Sequence, residues 1–519
     1  MGEDKIFSKF PNLPKMVVDF IKSLVAMLKS KDDELKMKDN ELKMKDDELK
    51  ALRAENQKLK EKLSLDSHNS SKPPSSDPPE KKTKPKSTRQ PSGKKPGGQP
   101  NHKGHGIKHL QTREPDRVVE HWPATCEACS NRDKCAAKGK VADTQYGYDI
   151  VFVPVFIKNS VMSCCCPLKD GEKLVGTAPL ASTHEYGKGL YAFCSLLYSY
   201  GEVSYSRIKE LIEGLFGFSI STATVYKAVQ SCKKGLESTI EWIKEQLIDS
   251  PLLHVDETGF KVKGKNHWVH GITNELLTHL SVQERRGYEG MINAGILEHF
   301  KGNAIHDFWP SYFKFAEMIH SLCNVHILRE LIERWENTKQ EWPKKMLELL
   351  LRIKKTKEEI IEKGGNAFNE DQWAKLKEEY DLIVAEGLAL NPPPVPNPKK
   401  RGRPARGKTL CLLDRFRNYH EEILRFATDF SVPFDNNPAE RIMRNVKTRQ
   451  KISGSMRNID GAQAYCDIMS YLLSTRPYNI NAFDAIMHVF NGTSQELLKK
   501  HYSKSNPDGL DQQPRLDSA

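Results

Sequence analysis

The sequence predicts a multidomain α/β protein whose sheet-bearing core is split by a helical insertion. Three observations predict it. The chain has 519 residues, too many for one compact core, so two to four domains are expected. Residues 251–325 break into short apolar runs of strand type, in the order β-β-β-α-β-α-β. Residues 187–232, 326–390 and about 410–500 read as helices, with a Pro-rich break between the last two.

Composition narrows the class. Hydrophobic residues are 38% and charged residues 29%, so the chain is globular with solvated segments. The net charge of +12 suits a polyanion, either nucleic acid or a membrane surface. No apolar run reaches the eighteen or so residues that span a bilayer. The start, "MGEDKIFSKFPNLPK", lacks the basic and apolar regions of a signal peptide, and Ile6 breaks the myristoylation pattern. A cytoplasmic protein is expected. Eleven cysteines are then thiols or metal ligands, not a disulfide framework.

The elements follow in order. Residues 1–65 form an N-terminal helix or coiled coil. Leu28, Leu35, Leu42, Leu49 and Leu63 share one heptad phase, with Asn56 in the sixth place. Leu52 and Leu59 add the second seam, so Leu49 to Leu63 runs 3-4-3-4. Earlier heptads put Lys31, Lys38 and Lys45 at that second position, and there a dimerising coil and a solvated single helix fit equally. Residues 66–118 are a basic linker rich in Pro, Ser, Gly and Lys, expected to be disordered. It suits a phosphate backbone, and equally a plain spacer.

Residues 119–175 are expected to be a small zinc-binding module. Cys126, Cys129 and Cys135 form one cluster, and Cys164, Cys165 and Cys166 the other. An alternating stretch between them, "TQYGYDIVFVPVFIKNSV", reads as a strand pair. Two knuckles around a hairpin supply the four ligands of a tetrahedral zinc, here Cys126, Cys129, Cys164 and Cys166. Cys135 or Cys165 could replace one of them, and reduced, partly buried thiols are the plainer reading. Residues 176–248 read as a helix-turn-helix-like DNA-binding region: a helix to about Leu215, a break at Gly217, and a second helix opened by Ser219 or Ser221. Thr222, Thr224 and Lys227 would face DNA. Bland helical hairpins share that outline.

Residues 249–325 carry the strand order of a ribonuclease-H-like fold, with a hairpin turn at Gly264–Lys265 and a helix over about 288–300. Residues 326–433 are a helical insertion. Its linker "NPPPVPNPKKRGRPARGK" holds six Lys/Arg and no acid. Arg401 and Arg403 lie in an "RGRP" stretch of AT-hook type, which a short basic linker also produces by chance. Residues 434–500 complete the core, and 501–519 are a disordered tail.

The chemistry centres on carboxylates. Asp256 closes "LLHVDE" and Asp307 closes "NAIHDF", each at the end of an apolar strand. In this strand order the first and fourth strands are neighbours, so the two carboxylates would face each other. Such a pair repels unless a divalent cation lies between, and hard oxygen ligands suit Mg²⁺, with Mn²⁺ able to substitute. That is the arrangement of two-metal phosphodiester chemistry. Glu257 competes with Asp256, and Asp307 could simply cap a helix. In "NNPAER", Asn437 reads as N-cap, Pro438 as N1 and Glu440 as N3, close to a capping box. Behind Glu440 come Arg441, Arg444, Lys447 and Lys451, the last three on one stripe with it. A cationic stripe leading from a carboxylate suits a phosphate-tracking surface.

These residues, with "SSKPPSSD", "KKPGGQPNHKGH", "HVDETGF", "HDFWPSY", "CNVHILREL" and "VPFDNNPAERIMRNVKTRQKISGSMRN", resemble the transposases of the IS sixty-six family of bacterial insertion sequences. The resemblance covers about residues 64–490. It implies a DDE transposase with Asp256, Asp307 and Glu440 as catalytic triad holding two Mg²⁺ ions. It implies nicking at the element's ends and attack of the freed 3′-hydroxyl on target DNA. It further implies double-stranded DNA as partner (terminal inverted repeats and target), accessory proteins of the same element, and a bacterial, nucleoid-associated location. A homodimer or higher oligomer, built through the coiled coil, belongs to the same reading. Cys323 and His326 match a Cys-x-x-His pattern of the family, half a zinc site. The "CCCP" at residues 164–167 departs from the separated cysteines expected there. The rival class is a zinc-containing DNA-binding regulator without catalysis.

Overall fold

The computed structural model describes residues 14–66, 69–70, 114, 117–130, 141–142, 144, 153–166, 172–177, 186–394 and 406–505. The basic linker, Cys135, Arg401 and Arg403 lie outside the described residues. The chain divides into two compact units, Met1–Lys86 with Leu322–Asp435, and Ser87–Ser321 with Asn436–Ala519.

The first unit is helical. Its helix Lys15–Ser64 has 50 residues, about 75 Å at 1.5 Å per residue. Lys38 and Lys45, which interrupt the leucine seam, bond Glu34 and Glu41 one turn earlier at 2.8 and 2.9 Å. Glutamate N-terminal to lysine is the favourable order. The seam leucines Leu28, Leu35, Leu42, Leu49, Leu52, Leu59 and Leu63 are all exposed within the single chain. Near its end the helix is tied to Asn324–Thr338 by Glu61 and buried Arg334 at 3.7 Å, and Asn69 donates to Glu336 at 2.9 Å. Helices Asn324–Thr338, Trp342–Glu362, Glu370–Leu390, Lys408–Asn418 and His420–Thr428 fill the span read as an insertion. Trp342, Tyr380 and Phe416 are wholly buried among them.

The second unit holds the sheets. A short antiparallel pair joins β1 (Ser163–Cys166) and β2 (Glu172–Val175). The larger sheet comprises β3 (Leu252–Val262), β4 (Lys265–Thr273), β5 (Thr278–Gln283), β6 (Asn303–His306) and β7 (Ile319–Leu322), in the order β5-β4-β3-β6-β7. The first three strands form an antiparallel meander, and β6 runs parallel to β3. This is a mixed α/β sheet with its first strand central.

Four local expectations are corrected. The β3–β4 turn sits at Lys263–Gly264, one residue earlier, because both residues take positive φ (50° and 74°), as a tight two-residue hairpin needs. The helix expected over 288–300 stops at Asn293, since Gly295 turns left-handed at φ 75°. Between β6 and β7 stands one 3-10 turn, Tyr312–Lys314, instead of an α-helix. The alternating stretch between the cysteine clusters forms no strand over its described part, residues 153–162. Val153, Val155, Phe156 and Ile157 are exposed there with no core to face, and the ladder forms on the second cysteine cluster instead.

Edge strand β5 is fully paired. Its outer amides donate to side chains of helix Ile459–Thr475: Thr278 to Ser474 Oγ at 2.9 Å and Leu280 to Ser470 Oγ at 2.8 Å. Serines four apart on a helix rise about 6 Å, and strand residues two apart rise about 6.8 Å, so the two ladders match. The same helix packs on Thr222–Ile248, which shares one core with the sheet through Val225, Val229, Leu236 and Ile243.

Candidate functional site

Asp256 and Asp307 lie on neighbouring segments of the sheet. The parallel register pairs Leu252 with Asn303, Leu253 with Ala304 and His254 with Ile305. Asp307 follows β6 directly, as expected, whereas Asp256 does not close its strand: β3 runs on to Val262 because its outer half stays paired with β4. The carboxyl ends of parallel strands are where open α/β sheets place their ligand sites. On β4 the residue opposite Asp256 is Gly271. Residues paired across an antiparallel ladder share a face, and above that face lies helix Asn437–Ser453, which carries Glu440. A Cβ at Gly271 would fall 2.1 Å from Met443 Cε of this helix. The missing side chain lets the Glu440 helix lie close on the face that Asp256 presents.

The electrostatics join the same residues. Burial raises the Asp256 carboxyl to about 8, and the charges of Glu257, Asp307 and Glu440 push in the same direction. The Glu257 amide, donating to Asp256 Oδ1 at 2.9 Å, opposes the rise only partly. The Asp256 carboxyl thus resists ionisation beside other carboxylates, and oxygen donors of that kind fit a hard divalent cation.

Glu257 points to the opposite face. It bonds Arg286 at 2.8 Å and accepts from the Tyr312 hydroxyl at 2.5 Å, with its side chain almost wholly buried. Arg286 lies over the rings of Trp309 and Trp268 at 3.9 and 4.9 Å. Glu257 is therefore occupied by its own cation, unlike Asp256. Asp307 Oδ1 accepts from the Trp309 amide at 3.1 Å. Behind it His306 donates from Nδ1 to the Asp307 carbonyl, so its Nε2 accepts from His320 Nδ1 at 3.0 Å. Burial holds the His306 imidazole neutral, lowered to about 3.

The start of the Glu440 helix differs from the sequence reading. Its N-cap is Asn436, so Pro438 and Glu440 take the second and fourth helical positions, and no side chain caps it. Asn436 is drawn elsewhere: its Nδ2 donates to Val255 O at 2.8 Å, and its Oδ1 accepts from His254 Nδ1 at 2.9 Å. At the far end Gln450 accepts from the Lys261 amide at 2.7 Å, Ser455 accepts from Gly264, and Met456 pairs with Val262. The helix is about 25 Å long, and Val255 to Val262 spans about 23 Å. It is fastened to β3 at both ends.

The cations behind Glu440 divide into two groups. Arg441, Arg444, Lys447 and Lys451 are exposed. Arg449 is buried, donating to Tyr198 O at 3.0 Å, pairing with Glu202 at 3.3 Å and lying 4.3 Å from the Tyr198 ring centre. In the helix-turn-helix region Ser221 is the N-cap, and its Oγ accepts from the Thr224 amide. Thr222 and Lys227 are exposed, whereas the Thr224 hydroxyl is engaged with Ser221 at 2.9 Å.

The cysteines are less assembled. Cys126 closes toward Cys129 through a Cys129 amide bond to Cys126 O at 3.3 Å. Cys126, Cys129 and Cys164 are exposed free thiols. The side chains of Cys165 and Cys166 lie outside the described residues. Cys323 is a buried cysteine at the N-cap of Asn324–Thr338, and burial lowers His326 on that helix to about 4.

Sequence reasoning missed Asn436, Arg449 and Gly271. The pair Asn436–Asn437 before a proline signalled a helix start, but either residue could cap it.

A family described as "Transposase IS66 family" matches residues 186–464, and a family of unknown function (DUF6444) matches residues 25–108. No curated protein matches the chain.

Proposed function

The chain belongs to the IS66 family of transposases, and from that premise we propose that it cleaves DNA at the ends of its insertion sequence and joins them to target DNA. The placing of Asp256 on β3 and of Asp307 just past the parallel β6 carries this reading, with Glu440 on the helix fastened to β3. The strand order β5-β4-β3-β6-β7, with the central β3 antiparallel to β4 and parallel to β6, supports a ribonuclease-H-like core.

Asp256, Asp307 and Glu440 would hold Mg²⁺. Bound there, the ions supply Lewis-acid activation of the attacking oxygen and stabilise the leaving one. Fixing those carboxylates within a strand, just past a neighbouring strand and at a helix start keeps the donor set rigid. Arg441, Arg444, Lys447 and Lys451 line the DNA backbone away from the carboxylates, and Thr222 and Lys227 present a second polar surface to it. Thr224 supports that surface through its cap. Arg401 and Arg403 would add a minor-groove grip. The CxxC turn of Cys126 and Cys129, with thiols exposed, fits two of four zinc ligands, and Cys164 and Cys166 on β1 would supply the others. The exposed leucine seam of Lys15–Ser64 suits a parallel copy of itself, giving a homodimer or larger assembly. No helix of the described residues is long and apolar enough to cross a membrane.

The test is strand cleavage. A duplex carrying the element's ends is incubated with the protein and Mg²⁺ or Mn²⁺. Wild type should cut it, and Asp256→Asn or Glu440→Gln should lose about 10³-fold or more. Cleavage persisting in either variant sinks the triad. DNA binding without cleavage by wild type, accessory proteins included, favours a zinc-containing regulator.

A further inference from the structure

We infer that Asn436 is a positioning residue that sets the Glu440 carboxylate against Asp256, an inference that rests on the triad reading above. Three bonds carry it. The Asn436 side chain donates to Val255 O at 2.8 Å, one residue before Asp256. Its oxygen accepts from His254 Nδ1 at 2.9 Å, two residues before Asp256. Its own carbonyl accepts the Glu440 amide at 3.2 Å, closing the first turn of the helix. One residue therefore ties the strand bearing Asp256 to the turn bearing Glu440.

The geometry explains the choice of residue. Asparagine offers a donor and an acceptor on one short planar group, and the site uses both. Because Nδ2 is committed to Val255 O, the atom facing His254 is the oxygen, so His254 carries its proton on Nδ1. Asn436 and His254 are both almost wholly buried, at 2% and 4% exposure. Water cannot replace these bonds cheaply. An aspartate would set an oxygen against Val255 O, and a serine would fall short of one partner. The ordinary cap is given up: no side-chain bond caps this helix, whereas Ser221, Asn369, Asn458 and Asn481 cap theirs.

The test uses Asn436→Ala, His254→Ala and the double variant in the full chain, with Glu440→Gln as reference. Mn²⁺ binding is counted by the resonance of the free ion, DNA affinity by anisotropy without metal, and cleavage at saturating DNA. Each single variant should weaken Mn²⁺ binding and lower kcat by about 10- to 100-fold. The KM for DNA should hold, and the double variant should be no worse than Asn436→Ala, since the bond that His254→Ala removes is one of the two that Asn436→Ala removes. Losses that add in the double variant, or Mn²⁺ affinity and kcat at wild-type level in Asn436→Ala while Glu440→Gln is dead, overturn the positioning role and leave the triad standing. Should Asn436→Ala fail to fold, His254→Ala reads the same bond from the strand side. Active Glu440→Gln instead removes the triad reading itself.

Discussion

Two regions of the same unit hold residues suited to metal ions, and they are built oppositely. The carboxylates sit within a central strand, just past its parallel neighbour and at a helix start, places that the protein fastens by itself. Asp256 lies on a central strand bonded on both sides, and the Glu440 helix is tied to that strand at either end. The cysteines lie on a four-residue helix, the turn after it and a two-stranded ribbon, with Cys126, Cys129 and Cys164 exposed. A ribbon and a single turn bury too little to be stable alone. The first region is organised by the chain itself; in the second, on the zinc reading proposed above, the ion would do the organising.

The largest expected effect follows from that contrast. The purified protein should carry zinc, and removing it with a chelator, or by Cys126→Ser with Cys129→Ser, should open residues 124–177 to protease. Structural zinc supplies on the order of 10–16 kcal/mol of apparent binding energy in small modules. The main thermal transition, which belongs to the sheet, should stay where it was. Metal-free protein with an unchanged protease pattern would break the comparison at its cysteine end.

The carboxylate end should respond in the reverse sense. Burial beside Glu257, Asp307 and Glu440 raises Asp256 to about 8 from an ordinary value of 3.8. A carboxyl raised on folding binds more protons folded than unfolded, so metal-free stability falls as pH climbs from about 4 toward about 8. Asp256→Asn should therefore raise the metal-free Tm at pH 8. Mg²⁺ at a hundred times its Kd should stabilise wild type by about 2.7 kcal/mol and the variant far less. A variant that melts below wild type at pH 8, measured calorimetrically without metal, would show that the carboxylates are not in conflict.

The same contrast decides what could be read from sequence. Strand and helix periods singled out Asp256, Asp307 and Glu440, and the β3–β6 pairing puts Asp307 just past the strand beside the one that carries Asp256. The long separation before Glu440 was legible as an insertion because residues 326–433 change period. Asn436 was not legible: its partners, His254 and Val255, lie about 180 residues away, and no local rule chooses between two adjacent asparagines. The anchoring role of Arg449 was not legible because its partners Tyr198 and Glu202 lie 251 and 247 residues away. The second half of the hairpin expected between the cysteine clusters forms no strand over residues 153–161, for another reason, while residues 145–152 lie outside the described residues. Alternation predicts a strand only where one face has a core to meet, and Val153 to Ile157 meet none among the described residues.

The smallest effect tests whether the sheet's bracing is its own. Ser470 and Ser474 each accept a β5 amide, from Leu280 and Thr278, while their hydroxyls donate back along the helix to Cys466 O and Ser470 O at 2.7 and 2.8 Å. Both serines and the β5 residues are buried, so alanine leaves an amide with neither protein nor water. Each substitution should cost about 1–3 kcal/mol in chemical denaturation. Exchange of the Leu280 amide should quicken in Ser470→Ala and that of Thr278 in Ser474→Ala, each leaving the other slow. Gln463, which accepts from Val282 at 3.4 Å near the open end of the strand, should cost less than either when changed to alanine. Equal losses at all three positions would mean that packing of the helix, not its ladder of side-chain acceptors, closes this edge of the sheet. Zinc or Mg²⁺ should change none of the three values, because the bonds that hold this edge are made by the chain alone.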